Sequence, residues 1–396
     1  MKFVIEKKVA GTLARAGSIE TPHGTIQTPA FVTVGTKATV KALTPEHIRE
    51  LRAQVVLANT YHLYLQPGPD IVAMAGGFGK FMGYYGPTMT DSGGFQAFSL
   101  GAAYGSSVSK VATGEAKGNK TEIENFNGKK QMARITDEGV EFRSFLDGSK
   151  HFFTPERSME IQWKLGADMI FAFDECTSPH ADFNYQKRAL ARTYSWAERC
   201  IARHEELDTE HVQALFGVVQ GGRFKELREE AARTIGALPF DGFGIGGSFN
   251  KEDLGSAVGW VNAILPEEKP RHLLGIGEPL DLFDAVEQGC DLFDCIAPTR
   301  MGRHGSLNTQ TGKINIRNKK FTTDFSPIEK DCTCYTCTHH TRAYLAHLFR
   351  ADEMLAGTLA SIHNVHFLLR LVERMREAIL NDTFLEFKKE FIANYR

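Results

Sequence analysis

The chain has 396 residues, 42% hydrophobic and 24% charged, with a formal net charge of −2. That length and apolar share exclude a disordered chain and fit one large α/β barrel or two ordinary domains. The balanced charge excludes a uniformly basic nucleic-acid binder. Seven cysteines, four of them scattered (Cys176, Cys200, Cys290, Cys295), argue against a disulfide framework and lead us to expect a reducing, cytoplasmic compartment.

The first residues, MKFVIEKKVAGTLARAG, alternate apolar and polar positions and contain no apolar h-region, so no signal peptide is expected. No run of about twenty apolar residues follows, so no membrane span is expected either. Residues 1–27 read as an antiparallel β region with turn signals at Ala16-Gly17 and His23-Gly24.

Eight short apolar runs then recur at helix-length intervals: AFVTVG (30–35), VVLANT (55–60), PTMTDS (87–92), DMIFAFDE (168–175), LFGVVQGG (215–222), GFGIGG (242–247), HLLGIG (272–277) and DLFDC (291–295). Most are continuously apolar, as parallel strands covered on both faces are. Helical patterns such as PERSMEIQWKLGA (155–167) and KELREEAARTIGA (225–237) lie between them. Eight strand–helix repeats predict an α/β fold, the (β/α)8 TIM barrel, with a doubly wound open sheet as the alternative. Residues 101–130, rich in Gly, Ser, Lys and Asn, read as a mobile insertion. In VHFLLRLVERMREAI, Val365, Leu368, Val372, Met375 and Ile379 form one apolar stripe, that of the eighth barrel helix.

Barrel enzymes place reactive groups at the C-terminal ends of their strands. Here those ends carry Asp91, Asp174, Gln220, the pair Gly246-Gly247, and Asp294. One such carboxylate commonly caps the next helix; three on one rim point to chemistry. Asp91 precedes Ser92-Gly93-Gly94, and Gln220 precedes Gly221-Gly222, which leaves backbone N–H groups open to a flat ligand. Carboxylates, an amide and backbone donors suit the edge of a purine such as guanine. Asp91 and Asp294 fit substitution at a sugar anomeric carbon, one attacking and the other managing protons. No Ser-His-Asp constellation stands out. GFGIGG matches a dinucleotide fingerprint only formally, because its glycines lie inside the apolar run rather than in the turn after it.

After Asp294 the charge changes. Residues 296–330 hold seven Lys/Arg against two Asp/Glu. Arg300, Arg303, Lys313, Arg317, Lys319 and Lys320 form a phosphate track that begins at the rim. Beyond it stand Cys332, Cys334 and Cys337 as Cys-x-Cys-x-x-Cys, with His363 a further 26 residues on. Four such ligands suit tetrahedral Zn²⁺ in a closed structural site, one ion per chain. The chain therefore divides into 1–295 (β region and main part of the barrel), 296–363 (zinc-binding and RNA-contacting insertion after strand eight) and 364–396 (last barrel helix and tail).

These motifs resemble the tRNA-guanine transglycosylases. NTYHLYLQPG (59–68), TDSGGFQAFSL (90–100), FDECTSPH (173–180), VVQGG (218–222), DGFGIGGS (241–248), LLGIGEP (273–279), FDCIAPTRMGRHG (293–305) and the Cys/His cluster follow the family's order over almost the whole chain. The resemblance implies a zinc-containing barrel that exchanges the wobble guanine of tRNA for a 7-deazaguanine, working as a homodimer. It implies that Asp294 is the nucleophile at ribose C1′ and Asp91 the general acid/base. Ser92, Gly93, Gly94, Phe95, Asp174, Cys176, Gln220, Gly246 and Gly247 would form the base pocket, with Phe95 stacking on the base. Thr299, Arg300, Met301, Gly302 and Arg303 would meet the anticodon loop.

The chain departs from the family at three places. Ser248-Phe249-Asn250-Lys251-Glu252 stands where bacterial members commonly read Leu-Ala-Val-Gly-Glu, which leaves the incoming base open between 7-aminomethyl-7-deazaguanine and queuine; Cys176 leans to the former. Glu278 stands where many members carry Lys, and 101–130 is a longer insertion. The given sequence runs about thirty residues past His363, so the extra RNA-binding domains of archaeal relatives are not expected here. Two other readings stand beside the leading one: a non-catalytic tRNA-binding subunit, and a barrel glycosidase for small nucleosides.

Overall fold

The computed structural model describes residues 1–99, 111–112, 133–178, 180–247, 249–250 and 254–395. Most of the 101–130 insertion and, of the segment after Gly247, Ser248, Lys251 and Glu252 lie outside the described residues. So do the side chains of Phe249 and Asn250.

The eight apolar runs are eight parallel strands that close on themselves: Ala30–Val34, Val56–Ala58, Thr88–Thr90, Met169–Phe171, Ala214–Val219, Gly242–Ile245, Arg271–Leu273 and Leu292–Cys295. Closure is direct, strand eight running beside strand one from Leu292↔Ala30 to Cys295↔Thr33. This is the expected (β/α)8 TIM barrel, and the open sheet is excluded. Since every strand runs the same way, every C-terminal end opens at one mouth.

The barrel interior is filled by Val32, Leu57, Met89, Met169, Phe171, Phe216, Val218 and Leu292. Two strand-six glycines make room for large rings there. A Cβ on Gly242 would lie 2.6 Å from the Phe216 ring, and one on Gly244 would lie 2.8 Å from the Phe171 ring. Packing against aromatic side chains thus explains the first two glycines of GFGIGG, whereas Gly246 and Gly247 lie against the Gln220 amide and the Arg228 guanidinium.

Strands Lys2–Lys8, Arg15–Thr21 and Gly24–Thr28 form the antiparallel N-terminal sheet. The His23-Gly24 turn is present, but Ala16-Gly17 is not a turn. The chain reverses at residues 9–14 around Gly11, whose φ is 77°. Gly17 lies within the second strand because the Val4 carbonyl passes too close to admit a Cβ. From this sheet Arg15 reaches under the barrel. Its Nε and Nη2 donate to both carboxylate oxygens of Asp291, at 2.9 and 2.6 Å, with both side chains buried.

The closing helix, Met354–Leu380, carries the predicted stripe; Val365, Leu368, Val372, Met375 and Ile379 are all buried. By length and composition it would cross a membrane, yet 67% of its most apolar window is buried inside the fold, as in a core helix. It packs on strand one, on the N-terminal sheet and, most closely, on the rim helix Ala297–Arg303. Between strand eight and this helix lie a hairpin (Ser306–Thr309, Gly312–Asn315) and helices Tyr335–His339 and Arg342–Arg350. The closing helix runs unbroken through residue 363, so the annex and the barrel share it.

Candidate active site and metal centre

Around the mouth, in spatial order, the strand ends present Asp91 (three), Asp174 (four), Gln220 (five), Gly246-Gly247 (six) and Asp294 (eight).

Asp91 is held from strand two. The Asn59 amide donates to its Oδ2, and the Thr60 backbone N–H donates to Oδ1 at 2.9 Å. The Thr60 hydroxyl also donates to the Asp91 carbonyl. Asn59 does two jobs at once. Its own Oδ1 accepts from the His62 N–H at 3.0 Å, which caps helix Thr60–Leu65.

Asp174 is the centre of a buried cluster. Gln220 Nε2 donates to its Oδ2 at 2.6 Å and Ser92 Oγ to its Oδ1 at 3.3 Å. Gly246 lies against this pair, since a Cβ there would be 2.5 Å from Gln220 Nε2. Gly94 is equally constrained; a Cβ would approach the Asp174 carbonyl to 2.8 Å. Gly93 takes φ 78°, the left-handed turn that starts helix Gly94–Ser99. Phe95 is half-buried in the first turn of that helix, and Cys176 is buried just beyond Asp174. The structure thus joins Ser92, Gly94, Asp174, Gln220 and Gly246 into one polar wall at the barrel mouth. Asp91 and Asp294 stand on the flanks, each with its own supports.

Behind this wall lies Arg228, fully buried on helix Lys225–Gly236. Its Nε donates to the Gly222 carbonyl and its Nη1 to that of Gly246, both at 2.7 Å, and burial pushes its guanidinium down to about 9. It ties the ends of strands five and six together. Glu175, next to Asp174, has other partners; it pairs with Arg192 and accepts from Tyr185 Oη at 2.7 Å.

Asp294 is supported from strand seven. His272 Nε2 lies 2.9 Å from its Oδ1, and the Gly275 N–H donates to the same oxygen at 2.8 Å. His272, Asn59, Thr60 and Arg228 are the site residues that sequence reasoning missed. Asn59-Thr60 follow an apolar run as Asp91 does, so the strand-end rule could have found them. His272 and Arg228 sit within a strand and a helix and leave no local signal.

The basic track is only partly exposed. Thr299 and Gly302 are buried, Gly302 because a Cβ would come within 3.0 Å of the Ser361 nitrogen on the closing helix. Arg300 is exposed, while Met301 and Arg303 are half-buried; burial and then Arg300 push the Arg303 guanidinium down. Lys313 pairs with Glu278, so that carboxylate cancels one charge of the track. Arg317 lies over the Phe349 ring at 5.3 Å.

The ligating atoms of Cys332, Cys334, Cys337 and His363 all lie within 4.8 Å of one another, with Sγ–Nδ1 distances of 3.8, 3.7 and 3.4 Å. Ligands about 2.3 Å from a shared ion at tetrahedral angles are about 3.8 Å apart, so the set fits a four-coordinate metal. His363 Nε2 bonds the Asn308 carbonyl at 2.7 Å, which places its proton there and turns the Nδ1 lone pair to the cluster.

A closed parallel barrel with carboxylates at its strand ends and a Cys₃His annex after strand eight defines a barrel enzyme with a metal-binding annex. A family model described as queuine tRNA-ribosyltransferase matches residues 10–396. The queuine tRNA-ribosyltransferase of Caldanaerobacter subterraneus subsp. tengcongensis is 46% identical over 398 aligned residues, covering 100% of this chain and 98% of the relative. That of Thermoanaerobacter pseudethanolicus is 45% identical with the same coverage, and that of Desulforamulus reducens 46% identical over 99% of this chain and 98% of its own. The chain belongs to the queuine tRNA-ribosyltransferase family.

Proposed function

We propose that the protein exchanges guanine at the wobble position of tRNA for a 7-deazaguanine by double displacement through Asp294. An Asp294 carboxylate oxygen attacks ribose C1′ as the C1′–N9 bond breaks, and the electron pair leaves on guanine. Asp91, entering as the acid, gives its proton to the departing base. The resulting Asp91 carboxylate then takes a proton from the incoming 7-deazaguanine, whose nitrogen attacks C1′ and returns the pair to Asp294. Configuration is retained, and the RNA chain stays whole throughout. An unpaired anticodon base leaves its stack for only a few kcal/mol.

The observation that carries this reading is the arrangement of acids at one barrel mouth. Two aspartates are individually braced, Asp91 by Asn59 and Thr60 and Asp294 by His272 and Gly275, on either side of the Asp174–Gln220–Ser92 wall. Asp174 accepts guanine N1–H and N2–H, the backbone N–H of Gly247 serves O6 while that of Gly246 stays in the barrel ladder on the Val219 carbonyl, and Phe95 stacks on the ring. Cys176 in the pocket favours 7-aminomethyl-7-deazaguanine over queuine. Arg300 and Arg303 contact the anticodon loop. The annex metal is Zn²⁺, structural, one per chain, because three thiolates and an imidazole fill its coordination. We place the enzyme in the cytoplasm and expect a homodimer. The exposed Phe325, Tyr335 and Tyr344 around the annex offer a surface for it, which light scattering tests.

Labelled-guanine exchange into tRNA tests the reading. Wild type incorporates label; Asp294→Asn and Asp91→Asn bind tRNA but do not turn over. An Asp294→Asn protein that exchanges as fast as wild type overturns it. A wild type that binds tRNA without exchange identifies a non-catalytic subunit instead.

A further inference from the structure

We propose that His272 is the positioning residue for Asp294 and acts as a neutral hydrogen-bond donor. The proposal rests on the reading of Asp294 as nucleophile and adds the group that aims it.

His272 is the middle residue of strand seven and has no exposed surface. It pairs across the sheet with Leu292, and Asp294 is two positions further along strand eight. Residues two apart share a face, so both side chains point into the barrel. The bond from Nε2 to Asp294 Oδ1 is 2.9 Å, and the Gly275 N–H meets the same oxygen. Two donors on one oxygen from below set the rotation of the carboxylate about Cβ–Cγ, and with it the direction of attack.

The other ring nitrogen decides the charge. His272 Nδ1 is buried and has no hydrogen-bond partner among the described residues. The Phe171 ring meets the imidazole edge-on at 5.4 Å. An imidazolium would put a second N–H in that place, a buried donor with no acceptor. A neutral ring protonated at Nε2 leaves only a lone pair there, the smaller loss. A neutral donor also orients the carboxylate without cancelling its charge, which a nucleophile must keep. A histidine here therefore works as a fixed N–H, and it carries no proton in the reaction.

Two substitutions separate orientation from packing. His272→Phe keeps a ring in the same space and removes the donor; His272→Gln keeps an amide N–H near the place of Nε2. For His272→Phe we expect kcat of guanine exchange to fall roughly 10- to 100-fold, the range for losing a bond to a charged acceptor, with KM for tRNA within about twofold. The rate of covalent protein–tRNA adduct, trapped by denaturing quench, should fall in parallel. His272→Gln should recover the rate to within about tenfold of wild type. ¹⁵N-histidine NMR of the wild type should show the Nε2–H tautomer.

Wild-type kcat in His272→Phe overturns the proposal. So does a well-folded His272→Gln as slow as His272→Phe, and so does a spectrum with both nitrogens protonated at neutral pH. If His272→Phe does not fold, His272→Gln and the NMR signature still decide. Asp294→Asn run alongside keeps the two levels apart: full exchange there removes the nucleophile reading itself, whereas its loss combined with an unaffected His272→Phe removes only the role of His272.

Discussion

Gln220 spends an N–H of its side-chain amide on Asp174, at 2.6 Å, across the gap between the ends of strands four and five. The bond aligns the Asp174 carboxylate and occupies one of its acceptor positions.

Two variants probe that tie. In Gln220→Glu a second carboxylate faces Asp174, and like charges at that distance repel. In Gly246→Ala the new Cβ would be 2.5 Å from Gln220 Nε2 and displace the amide. Both should raise KM for the base by about tenfold or more, the effect of one lost or misplaced polar contact in a buried site. Binding of tRNA, measured by filter retention, should hold near wild type.

Asn59 braces Asp91 with its amide and caps a helix with its oxygen. Asn59→Asp preserves the cap but loses the donor and adds a charge beside Asp91. Its thermal midpoint should stay close to wild type while exchange falls at least tenfold. Asn59→Leu should lose both, with a stability cost of about 1 kcal/mol for the cap. Melting curves and exchange rates on the same preparations separate the two functions.

Metal analysis should return one zinc per chain. Chelation, or Cys334→Ser, should lower the melting temperature and folding yield together, since the energy of binding a closed four-ligand site is folding energy. Chelated protein with an unchanged melting curve would contradict a structural metal.

His62 lies beside the Asn59–Asp91 bond, and burial, then Lys37 and Lys41, push its imidazole down to about 4 from an ordinary 6.5. The unfolded chain takes up a proton below 6.5 that the folded chain refuses until about 4. Stability from this group is therefore whole above pH 6.5 and is lost as pH falls toward 4. Urea midpoints should show wild type losing ground to His62→Gln across that window, and a constant gap above it.

Much of this molecule was legible in the chain. The eight strands were visible because parallel strands buried on both faces are written as unbroken apolar runs, and Asp91, Asp174, Gln220 and Asp294 were visible because each ends such a run. The candidate metal ligands were visible because three of them, Cys332, Cys334 and Cys337, stand within six positions of one another. What escaped was contact between distant segments. His272 braces Asp294 across neighbouring strands, and Arg228 clamps two strand ends from a helix. Gly17 read as part of a turn, but it, like Gly302, is a glycine because another backbone passes close by. Nothing within a few residues of any of them records its partner.

One ligand of the annex, His363, sits on the helix that seals the barrel wall, and that same helix presses on the one carrying Arg300. The protein consequently has no seam. A proteolytic or genetic split between barrel and annex would strand half of a helix on each side. Losing a bound ion would loosen the floor beneath the exposed Arg300 as well as the annex, so a metal-starved protein should lose affinity for RNA before its barrel comes apart.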